Sequence, residues 1–244
     1  MAASDRPQFT RRRALQIGAL AGVGGAAAAA YKLGPWSRPL GSNADVRLGF
    51  AGLGGKGADH LKHFREIHGC RIVALCDPDP EPLERERAIC GEANENVRCY
   101  TDYRDLIADK EVDAVVIASP NHWHALMGVW ALEAGKPIYI EKPLTHSIWE
   151  GQLLAEVAER TGLAAQTGTQ RRSDMAYAEA REWLAEGHIG AVRRARAVVY
   201  RYRNRVTKRK SPTVLPAGVD YELWCGPAPK ETLYRSKLHY DWHW

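Results

Sequence analysis

The sequence has few cysteines, and their spacing argues against two common uses of the residue. The 244 residues contain five, none in a C-x-x-C pair: Cys70, Cys76, Cys90, Cys99 and Cys225. A disulfide framework needs many cysteines in a short chain, and a structural zinc site needs closely spaced ligands. We therefore expect neither, and we expect Cys70 and Cys76, which flank a predicted core strand, to be small buried hydrophobic residues.

An excess of charge of one sign is also absent from most of the chain. The net charge is +5, but four arginines and one aspartate place +3 of it within the first thirty residues. Proteins that bind nucleic acids or membrane surfaces usually carry a larger basic excess. Nine lysines and arginines between Arg193 and Lys210 leave a nucleic-acid patch as an alternative. We favour a solvated face near anionic cofactor groups and predict no nucleic-acid partner.

The sequence also lacks a run of twenty strongly apolar residues. Its longest weakly apolar run, Ala14–Ala30, is rich in alanine and glycine and short for a transmembrane helix. Thr10–Gln16 (TRRRALQ) resembles a twin-arginine export motif, and Ala28–Ala30 offers a cleavage site. We predict a twin-arginine signal peptide at 1–30, a linker at 31–45 and a periplasmic or otherwise exported protein without a stable membrane anchor. An uncleaved anchor is the alternative.

From residue 46 onward, apolar runs and helical patterns alternate, as in an α/β protein. Strands are predicted at 46–51, 71–76, 97–100, 112–118, 137–140 and 164–168, and helices at 57–68, 80–90, 103–109, 122–134, 147–161 and 174–187. Residues 112–118 are almost continuously apolar, which indicates a parallel strand covered on both faces. Right-handed crossovers then predict a Rossmann doubly wound parallel sheet.

After about residue 190 the pattern changes. Residues 191–202 alternate in polarity and predict a longer strand with one wet face, and 203–218 are basic and then proline-rich, which predicts a loop. The remainder, to Trp244, is rich in aromatic residues without a clear period.

A glycine-rich turn follows the first predicted strand. Gly52, Gly54 and Gly57 fit G-x-G-x-x-G, with Leu53 inside the turn, and the second strand ends on Asp77. This arrangement is typical of dinucleotide binding. The glycines permit a tight turn and the close approach of a pyrophosphate, and the carboxylate of Asp77 accepts hydrogen bonds from the ribose hydroxyls. The alternative is a glycine-rich turn without a ligand. We predict NAD or NADP as the cofactor, with NAD favoured because the acid requires a free 2′-hydroxyl.

Two further motifs follow strands at the edge where open α/β sheets bind ligands. Ala118–His124 (ASPNHWH) follows the fourth strand, and Glu141-Lys142-Pro143 follows the fifth. A lysine held near a cationic nicotinamide has a lowered pKa and can accept a hydroxyl proton. The alternative for Lys142 is an ordinary surface lysine.

The two histidines of this motif are the remaining candidates for a metal site. His122 and His124 stand two residues apart on a loop that enters a helix, so they point in different directions, and no nearby Cys or Asp completes a ligand set. We predict no metal.

Four linked motifs resemble the glucose–fructose oxidoreductase/inositol dehydrogenase family (Gfo/Idh/MocA). They are Gly52–Gly57, Pro120–His124, Ala134–Pro137 and Glu141–Pro143, in matching order and spacing from about 46 to 170. The resemblance implies a Rossmann domain at 46–168. It also implies the start of a second α/β domain at 169–244, whose open antiparallel sheet forms the substrate wall and often the oligomer interface, so a homo-oligomer is expected.

The same resemblance implies roles for individual residues. Lys142 would be the catalytic or substrate-orienting lysine, positioned by Glu141. The residues implied near the cofactor, besides those two and the glycine turn, are Ser119, Pro120, Asn121, His124 and Arg171.

The sequence departs from the family pattern at its end. The family's second catalytic motif, an Asp with a His four residues later, normally follows an aromatic segment like Asp241–Trp244. We therefore expect the sequence to be a fragment whose second domain is incomplete, and we expect its own activity to be in doubt.

Three functions remain open from the sequence. The first is an exported NAD(P)-dependent oxidoreductase acting on a sugar, a sugar derivative or a cyclitol. The second is a redox-neutral glycosidase on the same fold, which oxidises the sugar transiently and regenerates its cofactor. The third is a non-catalytic nucleotide- or sugar-binding protein, favoured by the missing histidine.

Overall fold

A computed structural model describes residues 45–93, 96–200, 202 and 208–242. All described residues belong to one compact unit. The predicted signal peptide, and the predicted linker except Asp45, lie outside the described residues. Within the described part, no helix has the length and apolar character needed to cross a bilayer.

Strands and helices alternate through the first half of the described chain. The strands are β1 (Val46–Ala51), β2 (Cys70–Cys76), β3 (Arg98–Tyr100), β4 (Ala114–Ile117), β5 (Ile138–Glu141) and β6 (Ala165–Gly168). The α-helices are α1 (Gly55–Phe64), α2 (Pro80–Glu92), α3 (Tyr103–Ala108), α4 (Asn121–Glu133), α5 (Ile148–Thr161), α6 (Met175–Ala185), α7 (Tyr221–Cys225) and α8 (Leu238–Asp241). All six predicted strands and all six predicted helices up to residue 187 are confirmed, with shifts of up to four residues at their ends.

The six strands form one parallel sheet in the order β3-β2-β1-β4-β5-β6. Every neighbouring pair is parallel, and β1 lies between β2 and β4, with Ala51 opposite both Cys76 and Ile117. The strand order reverses between β1 and β4, which is the position where doubly wound sheets bind nucleotides. The predicted Rossmann fold is therefore confirmed.

The core lies on both faces of the sheet. Val115 and Ile117 of β4 pack into one buried cluster, and Val116 between them packs into the cluster on the opposite face. Alternate residues of a strand point to opposite faces, so both faces of β4 are covered by helices. Because both faces are buried, every residue of β4 is apolar.

Local signals in the sequence set the ends of several helices. Ser147 and Glu150 form a reciprocal capping box at the start of α5, and Gly162 ends that helix in the left-handed conformation. Asp79 caps α2 by accepting from the N–H of Glu81, with a proline at the first helical position.

Lys136 of the Ala134–Pro137 motif has a structural role. Its side chain is buried, and the ammonium donates to the carbonyl oxygens of Asp109 (2.8 Å) and Val112 (2.5 Å). These bonds fasten the α4–β5 turn to the loop that precedes β4.

Two sequence predictions are wrong. The strand predicted at 191–202 does not form: residues 191–200 and 202 carry no strand and are exposed. A strand needs partners for its backbone N–H and C=O groups, and the described chain offers none there. Cys76 is buried as predicted, but Cys70 is only half-buried because it begins β2 at the rim of the sheet.

Residues 208–242, here called the tail segment, contain α7 and α8 and no strand in this described stretch. Trp224, Leu233 and Leu238 form its own small buried cluster. The segment is attached to residues 46–168, here called the sheet domain, because the indole N–H of Trp123 donates to the carbonyl of Leu223 at 2.9 Å. The division at residue 168, and the assignment of this segment to a second domain, remain predictions.

Candidate dinucleotide site

The glycine turn joins β1 to α1, and its glycines have different reasons to be glycine. Gly52 has φ +84°, and a Cβ there would lie 2.4 Å from the backbone nitrogen of Ser119. A Cβ on Gly57 would lie 1.8 Å from the carbonyl oxygen of Gly52. A Cβ on Gly54 would meet only the Nδ1 atom of His239, at 3.9 Å. Gly52 and Gly57 are therefore required by packing, whereas Gly54 keeps its face of the turn open.

The open face adjoins the N-terminus of α1. The first helical bond runs from the N–H of Ala58 to the carbonyl of Gly54, so the N–H groups of Gly55, Lys56 and Gly57 precede the helical ladder. Such N–H groups, together with the helix dipole, favour an anion. The turn therefore fits the pyrophosphate of a dinucleotide.

Asp77 directly follows β2 beside this turn and is only 4% exposed. Its carboxylate accepts from the backbone N–H of Leu53 at 2.7 Å and of Asp79 at 2.9 Å. Burial raises the pKa of Asp77 to about 6, against these two N–H bonds, which favour the ionised form. These bonds fix the turn. Because each carboxylate oxygen has a further lone pair, Asp77 can also accept a hydrogen bond from a ribose hydroxyl.

A cavity of about 370 Å³ opens over the turn. The predicted cofactor residues that line it are Gly52, Gly54, Asp77, Ser119 and Pro120. The polar and aromatic lining residues that sequence reasoning missed are Lys56, Thr101, Asp102, Tyr103, Trp123, Trp224, His239, Tyr240 and Trp242. The cavity thus lies where β1, β2 and β4 end, with the tail segment as one wall.

The other predicted residues do not line this cavity. Leu53 is buried inside the turn, where its N–H serves Asp77. Asn121, the first residue of α4, instead lines a second cavity of about 590 Å³ beside the tail segment. Arg171 is exposed in a short 3-10 helix, Gln170–Ser173, and pairs with Asp174 at 3.1 Å.

His124 links two loops at the edge of the site. It is 2% exposed, with Nδ1 2.7 Å from the carbonyl oxygen of Pro143 and Nε2 2.8 Å from that of Ser119. Burial lowers the pKa of His124, although both carbonyls favour its protonated form. His124 therefore orients the loops that follow β4 and β5, and its contact with the cofactor stays a prediction.

Glu141 is buried at the end of β5. Its Oε1 lies 2.8 Å from Nε2 of His60, and its Oε2 accepts from the backbone N–H of Lys142 at 3.0 Å. A Cβ on Gly168 would come within 2.9 Å of Oε1, so that glycine leaves room for the carboxylate. Glu141 thus positions the backbone of Lys142 rather than its ammonium.

The side chain of Lys142 is exposed and lies outside the cavity over the glycine turn. The Lys142–Pro143 peptide bond is cis. Among the described residues, the ammonium has no hydrogen-bonding partner. Its catalytic role stays a prediction.

A sequence model of the "Oxidoreductase family, NAD-binding Rossmann fold" (GFO_IDH_MocA) matches residues 46–169, which is the whole parallel sheet. The chain belongs to the Gfo/Idh/MocA family. The glycine turn, the buried acid and the sheet described above are thus those of an oxidoreductase family that binds NAD.

Two kinds of curated relatives resemble this Gfo/Idh/MocA chain. Inositol 2-dehydrogenase 1 of Saccharopolyspora erythraea is 38% identical over 147 residues, which cover 59% of this chain and 43% of the relative. A glycosyl hydrolase family 109 protein of Shewanella pealeana is 36% identical over 121 residues, which cover 48% of this chain and 26% of the relative.

Solved structures of inositol dehydrogenases share the fold. The myo-inositol 2-dehydrogenase of Lactobacillus plantarum superposes with a TM-score of 0.55 at 32% identity over 60% of this chain and 42% of that one. The scyllo-inositol dehydrogenase of Lactobacillus casei, solved with NAD(H) and scyllo-inositol, superposes with a TM-score of 0.56 at 28% identity, over 60% and 42%. The chain thus spans less than half the length of each of these four proteins.

The missed residues carried weak sequence signals. Trp123 lies within the motif after the fourth strand, so its position was known but its polar bond to the tail segment was not. His239 lies in an aromatic stretch without a period, and nothing in its sequence neighbourhood indicates that it reaches the glycine turn.

Proposed function

We propose that this Gfo/Idh/MocA protein transfers a hydride between a tightly held nicotinamide cofactor and a sugar, sugar derivative or cyclitol. The binding of a nicotinamide cofactor is supported above all by the open face of Gly54, which lies between the N-terminus of α1 and the buried carboxylate of Asp77. The substrate half is supported by the inositol dehydrogenases among the relatives.

NAD is proposed over NADP. Asp77 is buried directly after β2, and its carboxylate suits a ribose with free hydroxyls. A 2′-phosphate would bring negative charge against it.

The proton of the substrate hydroxyl is proposed to pass to Lys142. When bound, the nicotinamide supplies the hydride acceptor for the alcohol carbon. Glu141 holds the backbone of Lys142 at the end of β5 and so fixes the origin of its side chain. A lysine poised as a general base contributes roughly 10²- to 10⁴-fold to the rate.

The test separates cofactor binding from chemistry. NAD binding is measured by calorimetry, and NADH formation is followed by absorbance with myo-inositol, scyllo-inositol and a panel of free sugars. Lys142→Met is expected to lower turnover at least about 100-fold while NAD affinity changes little. Lys110→Met, at another exposed lysine outside the cavity, is the matched control and should retain turnover. Absence of NAD binding by the wild type would contradict the proposal.

A redox-neutral glycosidase is the second candidate, favoured by the glycosyl hydrolase family 109 relatives. Such an enzyme releases the aglycone of a glycoside without net formation of NADH. A chromogenic glycoside assayed with simultaneous measurement of NADH distinguishes the two. Aglycone release without NADH supports the glycosidase, and NADH formation from a free polyol supports the dehydrogenase.

Export is proposed from Thr10–Gln16 and Ala14–Ala30, which lie outside the described residues. The test is cell fractionation of the wild type and of a variant with Arg11, Arg12 and Arg13 changed to lysine. Export through the twin-arginine route requires that the wild type reach the periplasm and the variant stay inside. Equal retention of both would contradict it.

A homo-oligomer is proposed. It is supported by the exposed apolar side chains of the region after β6, such as Trp183 and Tyr200. Light scattering after gel filtration should give a multiple of the protomer mass, and a monomer at all concentrations would contradict it.

A further inference from the structure

We propose that His239, held by Asp79, contacts the anionic diphosphate of the bound dinucleotide, so that the tail segment completes the cofactor site. This inference rests on the proposed cofactor binding and extends it to a residue outside the motifs of the sheet domain.

Asp79 fixes the imidazole in place. The Nε2 atom of His239 lies 2.6 Å from Oδ2 of Asp79, which is 1% exposed. The other oxygen of Asp79 accepts from the N–H of Glu81 at 2.9 Å, and its own N–H donates to Asp77. The carboxylate is thus immobilised on both sides, and it keeps a proton on Nε2.

The remaining ring nitrogen faces the glycine turn. Nδ1 of His239 lies 3.9 Å from the position of a Cβ on Gly54, the glycine whose open face admits a pyrophosphate. With Nε2 bonded to Asp79, an imidazolium presents its second N–H at Nδ1. A hydrogen bond from that group to a phosphate oxygen would be charge-assisted.

A positive charge on the imidazole would have an electrostatic role at this position. The buried carboxylates of Asp77 and Asp79 lie beside the place that receives a diphosphate, so the bound ligand adds negative charge next to negative charge. In the described part of the chain, the basic side chains that line the cavity are Lys56 and His239. Lys56 pairs with Asp59 at 2.6 Å. His239 contacts Asp79 through Nε2 and lies near Gly54 through Nδ1, so a positive charge on the ring would lie close to both the acid and the diphosphate.

Trp224 supports the same assignment. Its ring meets that of His239 edge-on with centroids 4.8 Å apart, and its carbonyl oxygen lies 3.0 Å from Nε2 of His122, which holds the residue in place. Trp224 lines the cavity, is 5% exposed, and its indole N–H has no acceptor among the described residues. A buried donor in a cavity wall is expected where a ligand supplies the acceptor.

The test compares ligands with and without phosphate. Dissociation constants for NAD, ADP and adenosine are measured on the full chain by calorimetry, with adenosine followed by competition against NADH fluorescence. His239→Gln keeps an amide N–H at the position of Nε2, so the bond to Asp79 can persist, and it removes Nδ1. We expect NAD and ADP to bind about tenfold more weakly and adenosine to stay within about twofold.

Two further variants distinguish a direct contact between His239 and the diphosphate from a purely structural role of His239. Asp79→Asn retains the cap of α2 but removes the charge that holds the imidazole, and it should weaken ADP more than adenosine. Lys237→Met, at an exposed residue of the tail segment that lines neither cavity, should leave the ratio of ADP to adenosine affinity unchanged.

The outcomes are distinguishable. Unchanged or tighter binding of ADP by His239→Gln, in a variant with a wild-type circular dichroism spectrum, would overturn the inference, because the imidazole would then be packing or an obstruction. An equal loss for ADP and adenosine would overturn it as well. Failure of the wild type to bind either NAD or ADP would instead refute the proposed function on which the inference rests.

Discussion

Two regions of the molecule use apolar residues in opposite ways. Between Val46 and Gly168, apolar side chains from both strands and helices form buried clusters on the two faces of the sheet. From residue 181 to 200 every residue is exposed, including Trp183 and Tyr200. Each βαβ unit brings its own covering helix, so a parallel sheet can bury its strands locally. A strand with one wet face needs neighbouring strands, and residues 191–200 have none in the described chain.

The tail segment stands between these extremes. It returns to the sheet domain, buries Trp224 and places His239 over the glycine turn. Its apolar side chains are buried in a small cluster of its own, and the hydrogen bond from Trp123 attaches it to the sheet domain.

The largest expected difference between the two regions lies in their large side chains. Phe50 of β1 is 1% exposed, so Phe50→Ala should lower the free energy of unfolding by about 3–5 kcal/mol. Tyr200 is 92% exposed, so Tyr200→Ala should lower the free energy of unfolding by less than about 0.5 kcal/mol. Urea denaturation of both variants measures this, and equal losses would show that residues after β6 share the core.

The glycine turn gives a comparison within the sheet domain. Gly57→Ala should destabilise the fold by about 3 kcal/mol because the new Cβ would meet the Gly52 carbonyl at 1.8 Å. Gly55→Ala, where nothing lies within 4 Å, should be neutral or stabilising by under about 1 kcal/mol. Thermal denaturation compares them, and a stable Gly57→Ala variant would refute the described turn.

The pKa of Asp77 predicts a dependence of stability on pH. Its folded value of about 6 exceeds its ordinary value of 3.8, so the folded state holds the proton more tightly. Stability from this group is fully present below pH 3.8 and falls by up to about 1.4 kcal/mol per pH unit as the pH rises toward 6. Urea denaturation of wild type and Asp77→Asn between pH 4 and 7 should show the slope only in the wild type. Parallel curves would contradict it.

The smallest effect compares two helix caps. Ser147→Ala removes the capping box of α5, which packs into the core, and should lower the unfolding free energy by about 1 kcal/mol. Asp174→Ala removes the cap of α6, which has no buried residue, and should leave the global unfolding transition unchanged while local helicity falls. Urea denaturation measures the change in global stability, and hydrogen exchange measures the change in local helicity. A global loss for Asp174→Ala would mean that α6 is part of the cooperative unit.

The sequence predicted the sheet, its helices and five residues of the cavity wall, because these depend on local periodicity and on short motifs. Gly52, Gly54 and Asp77 could be located since their spacing reflects one βαβ unit. His239 could not, because its place depends on a contact with Asp79 across 160 residues. The strand at 191–202 was mispredicted because alternation records a preference, and the preference is met only where partner strands exist.

The most direct test of the account is NAD binding to Gly54→Ala. A Cβ at this position meets no atom closer than 3.9 Å, so the variant should fold with wild-type stability. The methyl group would stand where the backbone must be approached by a pyrophosphate, so calorimetry should show NAD affinity at least about tenfold weaker. A folded Gly54→Ala variant that binds NAD as tightly as the wild type would contradict the placement of the dinucleotide over the glycine turn.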